Sequence, residues 1–248
     1  MRVSHPDAAE LLEPSLQPFL VDDLSAPNWS LRVGGFPDAR EHGDSRLHLL
    51  FRACSQAARS RRPSDVVRAF ADHVHAFSGM EPAGWVADVT VLVDGEGRAV
   101  LAPPSWQGPL LRHGRRLHGA GILVSAASRV AIDLSDGTVC VPEPAVRFDE
   151  ASLEALDSTF GRSAASLHVA AGDYPVAAWA VTLDPERDSP ARRVASVAGF
   201  MERVPDADRA QVLLESLHDH LASVPAVPVL PDEPGALLGA VLSLFDRT

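Results

Sequence analysis

The chain has 248 residues, of which 46% are hydrophobic and 22% charged, and its formal net charge is −11. These proportions are typical of a soluble globular protein, and the negative charge argues against general nucleic-acid binding, which depends on basic side chains. All 22 lysine-plus-arginine positions are arginine, so Schiff-base chemistry and a lysine-bearing phosphate loop are excluded for this chain.

No apolar run approaches the roughly 20 residues that are needed to cross a bilayer. The first residues, "MRVSHPDAAELLEP", are too polar for a signal peptide. We therefore expect a cytoplasmic protein without a membrane partner. Cys54 and Cys140 have no metal-type spacing, and we expect both to be reduced and buried.

The N-terminal part is predicted in two segments. Residues 1–45 are rich in Pro, Gly and Asp and are expected to form an arm or a small subdomain with one strand at 29–33. Residues 46–80 are predicted to be helical, with Ser64 as the N-cap of a second helix that ends at Gly79. The first helix is inferred from apolar residues on one helical face, namely Leu47, Leu50, Phe51 and Cys54.

From residue 86 onward, short β-branched runs alternate with helical patterns. This alternation predicts an α/β sheet domain over residues 86–248, preceded by a mainly helical N-terminal portion. The predicted strands are 86–93, 98–102, 120–125, 129–134, 137–141, 176–183 and 226–230. The predicted helices are 107–118, one that starts near 150, 193–203, 206–223 and 234–245.

The stretch "VADVTVLVDGEGRAVLAPPSWQGPLLRHGRRLHGAGILVSAASRVAIDLSDGTVCVPEP" resembles the P-loop domain of the HPr-kinase-like family. The shared features are a strand, an Asp-Gly turn, an "RAVL" strand, a loop, a helix and a further strand that follows Gly-Ala. The later segments "YPVAAWAVTL" and "LASVPAVPVL" are similar to the last elements of the family. The resemblance covers residues 86–245 and implies an HPr-kinase-like fold.

The phosphate loop departs from the family pattern. A P-loop needs glycines so that its amides turn inward, a lysine for the terminal phosphates and a hydroxyl for the metal ion. Here Pro103 and Trp106 stand at glycine positions, and only Gly108 is kept. Pro109 replaces the lysine and Leu110 replaces the hydroxyl residue. Proline also removes an amide donor, so the loop is expected to be degenerate.

Two further positions of the family pattern have lost their functional groups. The acidic pair that would hold a metal ion or act as a base falls at Ala126 and Ala127, and the family's histidine falls near Ala87. We therefore expect a pseudo-enzyme without phosphoryl transfer, without a nucleotide cofactor and without a bound metal.

Paired histidines raise the alternative of a metal site. His218 and His220 lie two residues apart, as do His73 and His75. On a helix such residues face different sides and do not converge on one ion. We expect them to be exposed polar positions.

Two arginine clusters and one tryptophan are candidate binding residues. The clusters are either solvated surface or contacts for an acidic partner. Trp106 either fills the vacated nucleotide cleft or serves as an anchor for a partner. The arginines are Arg59, Arg61 and Arg62 in the first cluster and Arg112, Arg115 and Arg116 in the second.

HPr-kinase-like proteins occur with ribosomally made, post-translationally modified peptides, so the resemblance implies a role in such a pathway. A non-catalytic relative would recognise the precursor (leader) peptide and support its modifying enzymes, as the recognition proteins of daptide-type clusters do. An exposed strand, for example 29–33, is expected to accept the peptide as an added strand.

Two alternatives remain open at this point. The chain is either a divergent nucleotide-dependent kinase or transferase that uses Arg112, Arg115 or Arg116 in place of lysine, or a structural subunit that stabilises a partner enzyme. The sequence also leaves a homodimer open.

Overall fold

The computed structural model describes residues 1–19, 29–33, 47–77, 84–125, 129–144, 146–161, 168–202, 206–229 and 234–246. The chain divides into two compact units. Unit 1 comprises residues 1–80 and 144–166, and unit 2 comprises residues 81–143 and 167–248. This division differs from the predicted segments 1–45, 46–80 and 86–248, because the first two lie in one unit and 144–166 joins them.

The described elements are twelve strands and eight α-helices. The strands are β1 (Arg2–Val3), β2 (Trp29–Arg32), β3 (His48–Arg52), β4 (Ser55–Ser60), β5 (Trp85–Asp88), β6 (Thr90–Val93), β7 (Ala99–Ala102), β8 (Leu123–Val124), β9 (Arg129–Asp133), β10 (Thr138–Val141), β11 (Gly172–Val181) and β12 (Ala226–Pro228). The helices are α1 (Pro6–Leu16), α2 (Pro63–Phe77), α3 (Gln107–Arg112), α4 (Gly114–Gly119), α5 (Glu150–Phe160), α6 (Pro190–Ala198), α7 (Ala207–Ser223) and α8 (Pro234–Asp246).

Within the described part of unit 1, four strands form one sheet in the order β1-β2-β3-β4. The short β1 is parallel to β2, whereas β2, β3 and β4 are antiparallel. Helices α1, α2 and α5 cover one face. The buried residues of this core include Leu12, Leu31, Leu50, Phe70 and Leu156.

The expectation of a helix over 46–58 is wrong, because residues 48–60 form the β3–β4 hairpin; residue 46 lies outside the described part. The chain turns at Ala53, which has a φ of 51°, and a bulge follows where the register shifts between Leu50 and Phe51. The run "LHLLF" is apolar at consecutive positions, so its periodicity does not separate a helix from a strand. Pairing of Leu50 with Leu31 of β2 decides in favour of the strand. The N-terminal unit is therefore mixed α/β and not mainly helical.

Helix α2 begins at Pro63, so Ser64 is not its N-cap as predicted. Proline suits the first helical position because its missing N–H would have no partner in the helix. The free N–H of Ser64 instead donates to Asp157 Oδ1 at 3.0 Å, and the Ser64 hydroxyl donates to Asp157 Oδ2 at 2.7 Å. A carboxylate of α5 thus caps the first turn of α2 across a large sequence separation.

The described strands of unit 2 form one mixed sheet in the order β5-β9-β10-β11-β7-β6-β8, and β12 pairs with β11. Strand β11 is parallel to β7 and to β12 and antiparallel to β10. The neighbouring pairs β5–β9, β9–β10, β6–β7 and β6–β8 are antiparallel.

Apolar residues cover both faces of the unit 2 sheet. Val91, Leu101 and Trp179 belong to the cluster that also contains Val197 of α6 and Leu217 of α7. Their strand neighbours Leu92, Val100 and Ala178 belong to a second cluster with residues of α3, α4 and α8. Because alternate residues of a strand face opposite sides, the sheet is a central layer with helices on each face, as expected for an α/β domain.

Most of the elements predicted from residue 86 onward are confirmed, with altered ends. The strand predicted at 86–93 is divided at Val89 into β5 and β6, and the strand predicted at 120–125 is reduced to β8. The helix predicted at 193–203 starts at Pro190 and stops at Ala198. No helix among the described residues has the length and the apolar character needed to cross a membrane.

Candidate functional site

The stretch that resembles a phosphate loop joins β7 to α3 through one 3-10 turn, Pro104–Trp106. The Pro103 carbonyl in this loop accepts two hydrogen bonds: the Thr90 hydroxyl donates to Pro103 O at 3.0 Å, and the Trp106 amide donates to the same oxygen at 3.0 Å. At the far end, Gln107 Nε2 donates to Ser125 O at 2.9 Å. The loop is thus tied to β6 and to the residue after β8.

Two of the loop residues are part of the core. Trp106 is 5% exposed and packs in the same cluster as Leu92, while Leu110, at the hydroxyl position of the family pattern, is fully buried. Pro104 is exposed and Pro109 half-buried. The burial of Trp106 favours the interpretation in which its side chain fills the space of the loop. It argues against Trp106 as an anchor for a partner, because an anchor requires an exposed side chain.

The second arginine cluster lies at the α3–α4 junction. Arg115 and Arg116 are exposed on the six-residue helix α4. Arg112 ends α3, and its side chain is outside the described part of the structure. No ion pair is formed by Arg115 or Arg116 with the described residues, so their position is that of a solvated helix face.

The other departures from the family pattern can be placed only in part. Ala126 and Ala127 lie outside the described residues. Ala87 is fully buried on β5 and forms an antiparallel bridge with Met201. A histidine at position 87 would therefore have to be accommodated inside the core.

His220 is buried and not exposed as expected. The Trp179 indole N–H donates to His220 Nε2 at 3.0 Å, and His220 Nδ1 lies 3.2 Å from Leu134 O. Because Nε2 accepts, Nδ1 carries the proton and the ring is neutral. Burial lowers the pKa of His220. His218 is exposed, so the two rings do not converge. His220 is a structural residue of unit 2.

Helix α2 carries the other histidine pair. His73 is half-buried against Trp29, with 5.2 Å between ring centroids, and burial lowers the pKa of His73; the expectation of an exposed ring is wrong. The side chain of His75 is outside the described part. Among the described residues, no group of three or more His, Cys, Asp or Glu side chains is arranged to hold a metal ion.

Asp72 of α2 is a buried carboxyl that the sequence did not single out. Burial raises the pKa of Asp72 to about 7, and Arg68 partly opposes this effect. Its Oδ2 has no hydrogen-bond partner among the described residues. This carboxyl therefore costs unit 1 stability when it is ionised.

Both cysteines are free, as expected, but both are exposed, which contradicts the prediction of burial. Both thiols are exposed because of where the residues lie: Cys54 is in the β3–β4 turn, and Cys140 is at an exposed position of β10. Partial desolvation and a hydrogen bond to Asp173 raise the pKa of the Cys140 thiol to about 11. A thiol with so high a pKa is a poor nucleophile at neutral pH.

The first arginine cluster separates into two kinds of residue. Arg62 donates to Asp157 Oδ2, so its charge is neutralised within unit 1. Arg59, on β4, is exposed, and it forms no ion pair with any described residue. Arg61 is exposed directly after β4. The structure thus assigns Arg62 to the interior network and Arg59 and Arg61 to the surface.

Strand β4 is an open edge of the unit 1 sheet. Its residues pair with β3 on one side, and on the other side no described residue pairs with it. A strand has N–H and C=O groups on both sides, so an edge strand presents unpaired donors and acceptors that can accept another strand. At six residues, β4 is long enough for several such bonds.

The strand that we expected to be open, at 29–33, is enclosed. Its residues form β2, in which Ser30 and Leu31 pair with β1 on one side and with β3 on the other. The expectation that it would accept a peptide is therefore wrong. The helix expected over residues 46–58 left no place for the β4 edge, since a helix has no free strand edge.

Basic charge is concentrated at this edge. Residues 48–62 contain four arginines and no aspartate or glutamate, in a chain whose net charge is −11. Arg52 lies at the turn end of the hairpin, with its guanidinium 5.8 Å from the centre of the Trp29 ring. Arg59 and Arg61 lie at the other end. We call the surface formed by β4 with Arg52, Arg59 and Arg61 the basic edge.

Comparison of the chain with protein-family models, with curated proteins and with solved structures gave no significant match. A functional assignment therefore depends on the residues and the geometry described above.

Proposed function

We propose that this chain is a non-catalytic recognition protein that binds an extended segment of a precursor peptide as an additional strand on β4. In this proposal unit 1 holds the peptide, and the peptide is thereby presented to modifying enzymes of the same pathway. The observation that carries the proposal is the six-residue edge of β4, whose outer side pairs with no described residue. Main-chain hydrogen bonds give affinity in such strand addition, and side chains at alternate positions give specificity.

We further propose that unit 2 is an HPr-kinase-like sheet domain that has kept its architecture and lost its chemistry. The order β7, loop, α3 and β8 supports this relationship, and so does the parallel pairing of β7 with β11. Loss of chemistry is supported by the residues that occupy the loop. Trp106 and Leu110 are buried, and no lysine is available to hold a phosphate.

The test uses as candidate precursor any short peptide whose gene lies beside the gene for this protein, labelled with fluorescein. Titration followed by fluorescence anisotropy is expected to show a Kd in the micromolar range or tighter, unchanged by ATP and Mg²⁺. Amide hydrogen exchange should then locate the peptide. Because β4 groups that point away from β3 gain partners on binding, those amides within Ser55–Ser60 should exchange more slowly in the complex.

Two comparisons make this experiment decisive. The interior strand β10 serves as the control, since its amides already have partners on both sides and should not change. Binding that requires ATP would instead support a nucleotide-dependent enzyme. Protection that is confined to unit 2, or the absence of binding, would contradict the proposed role of β4.

A further inference from the structure

We propose, on the basis of the proposed strand addition, that the segment recognised by β4 is acidic and that Arg59 is the residue that selects it. Three observations support this inference. They are the charge of the hairpin, the face of the sheet on which Arg59 lies, and the absence of an ion pair between Arg59 and any described residue.

The basic edge differs in sign from the rest of the chain. Four arginines and no carboxylate occur over residues 48–62, whereas the whole chain carries a net charge of −11. Of these arginines, Arg62 is neutralised by Asp157, whereas Arg59 forms no ion pair with any described residue. An acidic segment is repelled by the chain as a whole and attracted at this edge. The local charge therefore determines both where such a segment docks and which segments dock.

The position of Arg59 in the sheet gives the contact its geometry. Arg59 lies opposite Leu49, and the next pair is Leu50 with Ala58. Leu50 and Ala58 face the core of unit 1, so Arg59 is on the other face of the sheet. In an added strand, the residue opposite Arg59 would have its side chain on that same face, with its Cβ about 5 Å away. A glutamate at that position is within reach of the guanidinium.

The charge of the edge also disfavours a second copy of this chain as the occupant. Pairing of β4 with β4 of another copy would bring two sets of arginines to one junction, and no carboxylate of the hairpin would compensate for them. Charged residues on an edge strand are a common means of preventing this self-pairing. An acidic partner removes the same repulsion, because its carboxylates neutralise the arginines.

The experiment uses two fluorescein-labelled ten-residue peptides of alternating Thr and Val, identical except that three Thr positions are Glu in one and Gln in the other. The Glu peptide should bind the wild-type protein about two- to fivefold more tightly, which is the contribution of one cross-strand ion pair. The preference should shrink at high salt because the charges are exposed. Arg59→Glu should abolish or reverse it.

The matched control is Arg115→Glu, an equal change of charge on an exposed arginine of α4. This variant should keep the wild-type preference. A peptide with Arg in place of Glu should regain affinity for the Arg59→Glu variant, which identifies a direct pair and not a general effect of net charge.

The outcomes separate the two proposals. If both peptides protect the β4 amides with equal affinity, strand addition stands and the acidic preference is wrong. If neither peptide binds while the encoded precursor peptide protects β4, the acidic preference is also wrong. If no peptide protects β4, the proposed function itself fails. A dimer that peptides do not dissociate, with protected β4 amides, would identify a second copy as the occupant and overturn the inference.

Discussion

The sheets of the two units end in different ways. In unit 2, Met201 bridges to Ala87 beside β5, and His168 bridges to Val124 beside β8. The outer side of β12 is protected by the shortness of that strand and by Pro228 at its end. In unit 1, one edge strand, β1, is only two residues long. The other edge strand, β4, has six residues, and no described segment pairs with its outer side.

This contrast supports the proposal that β4 is the edge that binds a partner strand. Soluble proteins protect edge strands because an open edge promotes aggregation. Unit 2 follows this rule at each end of its sheet, whereas no described segment covers the outer side of β4, where the arginine Arg59 lies. Such an arrangement is expected where the edge must remain accessible to a partner strand.

The two units also differ in what stabilises them. Unit 2 has continuous buried strands, such as β6 and β7, in which every residue is buried. Unit 1 joins its helices through a polar network in which Asp157 binds Arg62 and Ser64. We therefore expect substitutions in the apolar centre of unit 2 to have the largest effects and substitutions at the basic edge to have the smallest.

The largest loss of stability is expected for Trp179→Ala. Trp179 is fully buried and donates its indole N–H to His220. Its ring stacks on that of Phe200, with 6.3 Å between the ring centroids. Removal leaves a cavity and a buried imidazole without its donor, so the free energy of unfolding should fall by about 3–5 kcal/mol. Urea denaturation followed by circular dichroism measures this change.

Trp85→Ala is the control, because Trp85 is half-buried on the edge strand β5. Its loss should cost about 1 kcal/mol. An equal or larger effect at Trp85 would show that unit 2 depends on its edge as much as on its centre, and the contrast between the units would then be smaller than described.

The next largest effect is expected for Asp157→Ala in unit 1. This change removes the acceptor of the Arg62 guanidinium and of the Ser64 amide and hydroxyl. Because these groups lie largely out of water, stability should fall by about 2–3 kcal/mol. Glu150→Ala, in the same helix, removes an ion pair with Arg68 in which the carboxylate is 68% exposed.

The Glu150 variant should cost less than about 1 kcal/mol, as is usual for surface ion pairs. Thermal unfolding of both variants provides the comparison. If the two substitutions have the same effect, then the Asp157 network does not hold unit 1 together, and the distinction between polar and apolar stabilisation is not supported.

The sequence predicted unit 2 well because its elements carry local signals. Its β-branched strands are bounded by turns such as "DGEG" and "SDG", and these signals do not depend on distant residues. The hairpin of unit 1 was missed for the opposite reason. "LHLLFRACSQAA" suits a helix locally, and only the pairing of Leu50 with Leu31 of β2 makes it a strand. Information about that pairing is not contained in the segment itself.

The candidate site was predictable only in composition. The arginines at 59, 61 and 62 stood out as a basic cluster, but the sequence does not reveal that Arg62 pairs with Asp157, 95 residues away. It also does not show that Asp72 and His220 are buried, since helix positions become buried through tertiary packing. Sequence patterns indicated which residues carry charge, and the fold determined which of them remain at the surface.

A smaller effect, with a defined dependence on pH, is expected for Asp72→Asn. Burial raises the pKa of Asp72 to about 7, whereas an unfolded aspartate titrates near 3.9. The folded protein therefore holds this proton more tightly, and stability decreases as the pH rises from about 4 to about 7. The variant lacks this ionisation and should therefore be more stable than wild type at pH 8, by about 1 kcal/mol or more.

At pH 4 the Asp72→Asn variant and the wild type should have nearly equal stability, because Asp72 is then protonated in the folded state. Glu154→Gln, at an exposed position of α5, should show no such difference between the two pH values. Urea midpoints measured at pH 4 and pH 8 test this prediction. A stability gain that is independent of pH would show that the ionised carboxylate is not the cause.

The smallest change in stability is expected for Arg59→Thr, which tests the edge directly. Arg59 is exposed and forms no ion pair with the described residues, so the free energy of unfolding should change by less than about 0.5 kcal/mol. Threonine favours strands and carries no charge, so the protection of β4 against self-pairing is weakened. Sedimentation velocity should then show dimers that increase with protein concentration, while Arg115→Thr stays like the wild type. If Arg59→Thr remains monomeric where the wild type does, then charge is not what keeps β4 from self-pairing, and another feature of unit 1 must protect this edge.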